Sequence, residues 1–102
     1  MTSLSTHVLD AAAGAPASDL AVVLDDGAAS GRTDADGRLR FDVDLAAGTH
    51  RLTFHTGAWF DATGRDTFYP EASVTFAVTA DRAHVHVPLL LSPYSYTTYL
   101  GS

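Results

Sequence analysis

Apolar and polar residues alternate along most of this chain with the two-residue period of β-strands. The stretch "RLRFDVDL" (38–45) shows it most clearly: Leu39, Phe41, Val43 and Leu45 point one way, and Arg38, Arg40, Asp42 and Asp44 the other. "LSTHVLD" (4–10) alternates with β-branched residues, and "GTHRLTFHT" (48–56) sets His50, Leu52 and Phe54 opposite Arg51, Thr53 and His55. "LAVVLD" (20–25) is a near-continuous apolar strand, and "EASVTFAVT" (71–79) follows the turn-forming Pro70. Two more strands, "AHVHVPLLLS" (83–92) and "YSYTTYL" (94–100), are separated by Ser-Pro.

The interruptions are equally informative. Small residues, Gly and Pro make 11–19 a loop, and 26–37 has room for one short edge strand near Ser30–Thr33 before a turn at "DADG". "TGAWFDATG" (56–64) breaks the alternation and predicts one short helix, with Thr56 as its cap and Gly64 at its end. The sum is eight short strands and one helix, with turn signals every 8–12 residues. That spacing predicts an all-β, antiparallel β-sandwich of two sheets. Neither repeat nor linker divides the chain, so residues 1–102 are expected to form a single domain. The C-terminal stretch is odd, because chain ends are usually small, polar and frayed. Here strand character and aromatics persist to Gly101 and Ser102, which predicts a tail that is buried in a partner or builds a site.

Composition narrows the choice of partners. The chain has 102 residues, 46% hydrophobic, with a formal charge of -6, no lysine and six arginines, so a nucleic-acid footprint is not expected. A small anion is still within reach of a few converging arginines. There is no cysteine, which removes disulfides, thiolate metal sites and cysteine nucleophiles. No apolar run approaches the roughly 20 residues of a membrane helix, and "MTSLSTHVLD" lacks the basic and apolar regions of a secretory signal, so a cytoplasmic protein without membrane contact is expected.

Histidine supplies the first candidate chemistry, since its ordinary pKa suits acid and base roles near neutrality. His7 lies mid-strand with Ser5 and Leu9 on its face, and His84 and His86 share one face of their strand. One reading makes these ordinary surface or interface histidines; another makes His-x-His plus a third histidine a zinc set. Metal-free catalysis instead needs a base for water and a cation for developing negative charge, and Arg38, at the end of the "DADG" turn, suits the second task. Spacing does not choose among these. The chain has no G-x-S-x-G elbow and no Gly-rich phosphate loop. Trp59, Phe60, Phe68 and Tyr69 form an aromatic cluster, read as core beneath the short helix.

Four stretches together, "LSTHVLD" (4–10), "GRTDADGR" (31–38), "FYPE" (68–71) and "HVHVPLLLSPYSYTTYLGS" (84–102), resemble the transthyretin-related 5-hydroxyisourate hydrolases. The family's corresponding pieces read S-x-H-V-L, T-[ND]-x-D-G-R, [FY]-[FY]-P-E and H-x-H-V-P-L-L-L-S-P-[FY]-x-Y-x-T-Y-R-G-S. The resemblance implies a prealbumin-like sandwich of two four-stranded sheets with one short helix, assembled as a homotetramer with its sites at the subunit interface. It also implies that His7, Arg38 and His86 form a hydrolase site, that the tail matches at Tyr99, Gly101 and Ser102, and that Ser102 joins the catalytic set. The implied reaction opens a cyclic amide of 5-hydroxyisourate, an intermediate of urate breakdown. His7 or His86 takes the proton, Arg38 stabilises the anion and oxyanion, and Tyr99 bonds or packs on the ring. No metal or organic cofactor is implied.

Two departures stand out. Leu100 occupies the place of the family's arginine in Y-R-G-S, which by the resemblance removes a guanidinium beside the pocket. "DDGAASGRTD" (25–34) is short of the family's second hairpin. The alternative function is a transthyretin-like tetrameric carrier that binds a planar small molecule without turnover, a reading favoured by an apolar Leu100. A third reading is a metal-binding or purely structural β-domain. The retained His7, Arg38 and His86 favour the hydrolase, because a carrier has no need of a base beside a cation.

Overall fold

The computed structural model describes residues 2–102. Nine strands and one helix follow in order: β1 (Ser3–Asp10), β2 (Ala15–Pro16), β3 (Ala21–Leu24), β4 (Ala29–Arg32), β5 (Arg38–Phe41), β6 (Gly48–Phe54), α1 (Thr56–Ala62), β7 (Ala72–Val78), β8 (His84–Ser92) and β9 (Ser95–Thr98). They form two sheets. One has the order β2-β1-β8-β9, with β5 also on β1; the other has the order β4-β3-β6-β7. The all-β sandwich with one short helix is therefore the observed architecture.

Three details differ from the expectation of two four-stranded antiparallel sheets. The first sheet has five strands, because β5 and β2 share one edge of β1: β5 covers Leu4–His7 and the two-residue β2 covers Leu9–Asp10. The loop expected over 11–19 thus turns at Gly14, where φ is +67°, and pairs briefly on its way back. Second, β1 and β8 run parallel, from Ser3↔His84 to Asp10↔Leu91. A parallel neighbour needs a long crossover, and here the whole second sheet and the helix supply it. Third, β5 stops at Phe41 instead of Leu45, because Leu4 of β1 pairs with Phe41 and little of β1 lies beyond. Leu45 still turns inward, held by its N–H on the Thr2 carbonyl at 2.8 Å.

The core lies between the sheets. Leu4, Val8, Val85, Val87, Leu89 and Leu91 meet Val22, Leu24, Leu52, Phe54 and Val74 from the other side, with Phe60 of α1 fully buried among them. The inward polar groups are all paired, as burial demands. Thr6 donates to the Val87 carbonyl (2.6 Å), and Asp10 accepts from Ala13 N–H (3.0 Å) and from Arg65 Nη2 (2.6 Å). Arg65 also lies over the rings of Trp59 and Phe60, tying α1 to the end of β1.

Around the helix the expectation needs correcting. His55, not Thr56, is the N-cap residue, and it makes no side-chain capping bond; Thr56 is buried in the first turn. Phe60 is core, whereas Phe68 is 71% exposed and meets only Tyr69 edge-on, so the aromatic cluster is not one buried unit. Among the described residues no helix is long and apolar enough to cross a membrane.

One turn matters for everything below. Asp34 Oδ1 accepts the N–H groups of Asp36 and Arg38, each at 2.9 Å, closing residues 34–38 into a tight turn. Val8 N–H donates to the Gly37 carbonyl at 2.7 Å, fixing that turn to β1. Gly37 has φ +75°, and a Cβ there would collide with the Val8 carbonyl oxygen. Gly37→Ala should therefore lower stability by at least about 1–2 kcal/mol, the ordinary cost of an L-residue in the left-handed region. The midpoint of urea unfolding measures it, and an unchanged midpoint would contradict this account of the turn.

Candidate functional site

The strand register brings the candidate residues together on the outer face of the first sheet. With Leu4, Thr6 and Val8 turned inward, Ser3, Ser5 and His7 must face outward. The parallel pairing sets Ser3 beside His84 and Ser5 beside His86, and the antiparallel pairing on the other edge sets His7 opposite Arg38 and Ser5 opposite Arg40. Three strands that are distant in sequence therefore pool their polar faces.

Each side chain is then fixed locally. The Asp36 carbonyl can only accept, so His7 Nε2 carries the hydrogen in their 2.9 Å bond, and the neutral ring keeps its lone pair on Nδ1. Arg38 is presented by the Asp34 turn, and among the described residues neither Arg38 nor Arg40 has a carboxylate partner. Ser5 Oγ lies 2.8 Å from His86 Nδ1 and 2.8 Å from His84 Nε2, while Ser3 Oγ bonds His84 Nδ1 at 2.5 Å. Burial, and then the basic neighbours His7, His84 and Arg38, push the His86 pKa below its ordinary value. The shift favours the neutral imidazole at neutral pH. Ser5, Asp34, Arg38, Arg40 and His86 line a cavity of about 330 Å³, open on one side.

The C-terminal tail closes against this face in an unexpected way. Pro88 has no N–H to offer the neighbouring strand, and β9 ends at Thr98, whose hydroxyl takes the Pro88 carbonyl at 2.8 Å. Pairing resumes only at Gly101, whose N–H donates to the His86 carbonyl at 2.9 Å. A Cβ on Gly101 would lie 2.5 Å from His86 Cδ2 and 3.0 Å from Pro88 Cγ. Only glycine lets the backbone lie this close to the imidazole.

Among the expected site residues, His7, Arg38 and His86 share one face. Within one chain Tyr99 and Leu100 instead line a second cavity, of about 280 Å³, with Val74, Phe76, Val85 and Val87 at the open edge between the sheets. Within one chain Leu100 thus lines that second cavity and not the His86 cavity, although the next residue, Gly101, lies against the His86 ring. Ser102 is exposed just beyond Gly101. Ser5, Asp34 and Arg40 are additions that the sequence pattern did not single out. Arg40 shared a strand face with Arg38, and Ser5 with His7, but only the pairing register gives Ser5 its contact with His86. His84 and His86 spend ring nitrogens on serine hydroxyls, and among the described residues no group of three histidines or carboxylates is arranged to hold a metal ion. His50 is structural: its pKa is raised by the Ala46 carbonyl and by Asp25, which it joins at 3.0 Å.

Residues 4–101 match the model of the HIUase/Transthyretin family. A 5-hydroxyisourate hydrolase of Caulobacter vibrioides is 44% identical over 115 aligned positions that span 100% of both chains. The solved 5-hydroxyisourate hydrolase of Klebsiella pneumoniae is similar with a TM-score of 0.91 and 38% identity, covering 100% of each chain. Sea bream transthyretin, solved in complex with thyroxine, is similar with a TM-score of 0.88 and 34% identity, over 96% of this chain and 93% of that one.

The electrostatics of His86 yield a measurable sign. Its folded-state pKa lies below 6.5, so its contribution to stability is complete above that value and is lost as pH falls through the folded pKa. An NMR titration of the His86 ring should give a midpoint below 6.5, and Arg38→Ala should move that midpoint upward by removing a neighbouring positive charge. A midpoint at or above 6.5 in the parent would contradict the electrostatic picture.

Proposed function

This chain belongs to the HIUase/Transthyretin family, and we propose that within it the protein is an enzyme that hydrolyses 5-hydroxyisourate by opening its cyclic amide. The observation that carries this reading is the outward cluster of His7, Arg38 and His86, a base beside a cation with Arg38 and His86 lining one cavity, on strands whose inner faces pack largely into the core. In the proposed reaction His86 Nε2 takes a proton from water as the oxygen attacks the ring carbonyl. Arg38, with Arg40 beside it, holds the substrate anion and the oxyanion that forms. The C–N bond then breaks as the imidazolium returns the proton to the leaving nitrogen, and the new carboxylic acid ionises to an open-chain carboxylate. His7, with its Nδ1 lone pair, binds the substrate or serves as a second base. No metal or organic cofactor enters the scheme.

The same proposal makes residues 1–102 one domain and the working unit a cytoplasmic homotetramer. Tyr99, 52% exposed, and Leu100, 64% exposed, form the kind of apolar rim that a second copy covers. In such an assembly the sites lie at the subunit interface, and Tyr99 and Ser102 join them as substrate-binding and catalytic residues. The carrier alternative leaned on Leu100 making the channel apolar. Leu100 adds apolar surface to that rim, but the retained polar set of His7, Arg38 and His86 favours the hydrolase.

His7→Ala, Arg38→Ala and His86→Ala should each lower kcat about 10²-fold or more with the fold intact, read from the ultraviolet decay of 5-hydroxyisourate made in situ from urate. Variants that keep the parent rate would remove the site assignment. Leu100→Arg should raise kcat/KM by an amount that shrinks with added salt, because an assembly that brings Tyr99 and Ser102 to the site brings Leu100 with them; an unchanged value would mean that the residue only walls the rim. Light scattering should give a tetramer, and a monomer at micromolar concentration would remove the shared-site arrangement.

A further inference from the structure

We propose that Ser5 and His84 are positioning residues for His86: Ser5 holds the His86 proton on Nδ1, keeps Nε2 bare toward the cavity, and links the ring to His84 as a store for its charge. The inference rests on the hydrolase reading for its kinetic consequence, and on hydrogen-bond logic for its structure.

The logic starts at a group that can only accept. Ser3 Oγ lies 3.3 Å from the Ala83 carbonyl as well as against His84 Nδ1. A serine has one hydrogen to give. Given to the Ala83 carbonyl, it leaves Ser3 Oγ to accept from His84 Nδ1–H. Neutral His84 then has its lone pair on Nε2, which accepts the Ser5 hydroxyl hydrogen across 2.8 Å. Ser5 Oγ in turn accepts from His86 Nδ1–H, also across 2.8 Å. His86 is left with its lone pair on Nε2. The opposite order, with Ser3 donating to His84, would put the His86 proton on Nε2 and disable it as a base; it would also forfeit the bond to Ala83.

The same chain moves charge. When His86 Nε2 takes a proton from water, its Nδ1 proton passes to Ser5 Oγ and the Ser5 hydrogen passes to His84 Nε2. One proton enters, none leaves, and the positive charge now sits on His84, which pairs with Ser3 and so lies farther along the sheet from Arg38 than His86 does. The reverse shifts return it when Nε2 protonates the leaving nitrogen. The surroundings favour this sharing. His86 is faced by His84 on its own strand, His7 on β1, Arg38 and Arg40 on β5 and Asp34 in the turn, with Gly101 of the tail against its ring. Four of these neighbours are basic, and His7, His84 and Arg38 among them oppose a charge held on His86.

The test combines tautomer and rate. In the protein labelled with ¹⁵N-histidine, NMR at neutral pH should show His86 of the parent protonated on Nδ1 and bare on Nε2. Ser5→Ala should give a mixture of tautomers and lower kcat about 10²-fold, the low end of what a positioned base contributes, with KM little changed. Ser5→Thr keeps an Oγ and should recover both the tautomer and most of the rate. A parent His86 protonated on Nε2, or a Ser5→Ala protein that keeps both the parent tautomer and the parent kcat, would overturn the proposal. The parent's spectrum decides the point even where Ser5→Ala fails to fold. An inactive parent with the expected tautomer would sink the hydrolase reading and leave this hydrogen-bond assignment standing.

Discussion

The parallel pairing of β1 with β8 organises both the core and the polar cluster, because one register serves two faces at once. On the inner side it brings Leu4 and Val8 together with Val85, Val87, Leu89 and Leu91. On the outer side the same register aligns Ser3 and Ser5 with His84 and His86. A slip of one residue would turn the valines to solvent and the histidines into the core. Hydrophobic burial therefore fixes, to the residue, a polar alignment that contributes little stability of its own. β5 on the other edge of β1 is held the same way, with Phe41 inward while Arg38 and Arg40 look out.

This arrangement concentrates positive charge locally in a chain whose net charge is -6. At physiological ionic strength charges more than about 8 Å apart are largely screened, so the cavity is governed by Arg38, Arg40 and the histidines around it, not by the acidic total. The cluster also disciplines its own members. A protonated His86 has cationic neighbours and reduced solvent, so the neutral form prevails, and a neutral imidazole is what proton abstraction requires. Gly101 adds a steric limit, since its backbone lies so near the ring that a methyl group would displace it.

Much of this was legible in the sequence because period-two alternation is a direct record of burial. The strict alternation of 38–45 and the His-x-His face of β8 both survive in the structure. What the alternation does not encode is which strands are neighbours. The parallel β1–β8 pair lies behind both the contact between Ser5 and His86 and the departure from an all-antiparallel sheet, and neither strand announces the other. Local exceptions were also hidden. Pro88 interrupts the last ladder by lacking one N–H, and Tyr99 and Leu100 line the other cavity although they sit inside an unbroken motif. His7, Arg38 and His86 were candidates by residue type and strand face, but only the resemblance of "LSTHVLD", "DADGR" and "HVHVP" to family pieces chose them over ordinary surface residues or a zinc set.

In the proposed reaction a neutral His86 in this cationic cavity removes the proton from water. The most direct measurement is the pH dependence of kcat/KM for 5-hydroxyisourate with the spontaneous decay subtracted, because that quantity reports the ionisation of the free enzyme. The rate should be level through neutrality and fall on the acid side with a midpoint below 6.5. An acid limb centred at or above 6.5, or no dependence on pH where His86 titrates, would contradict that role of His86.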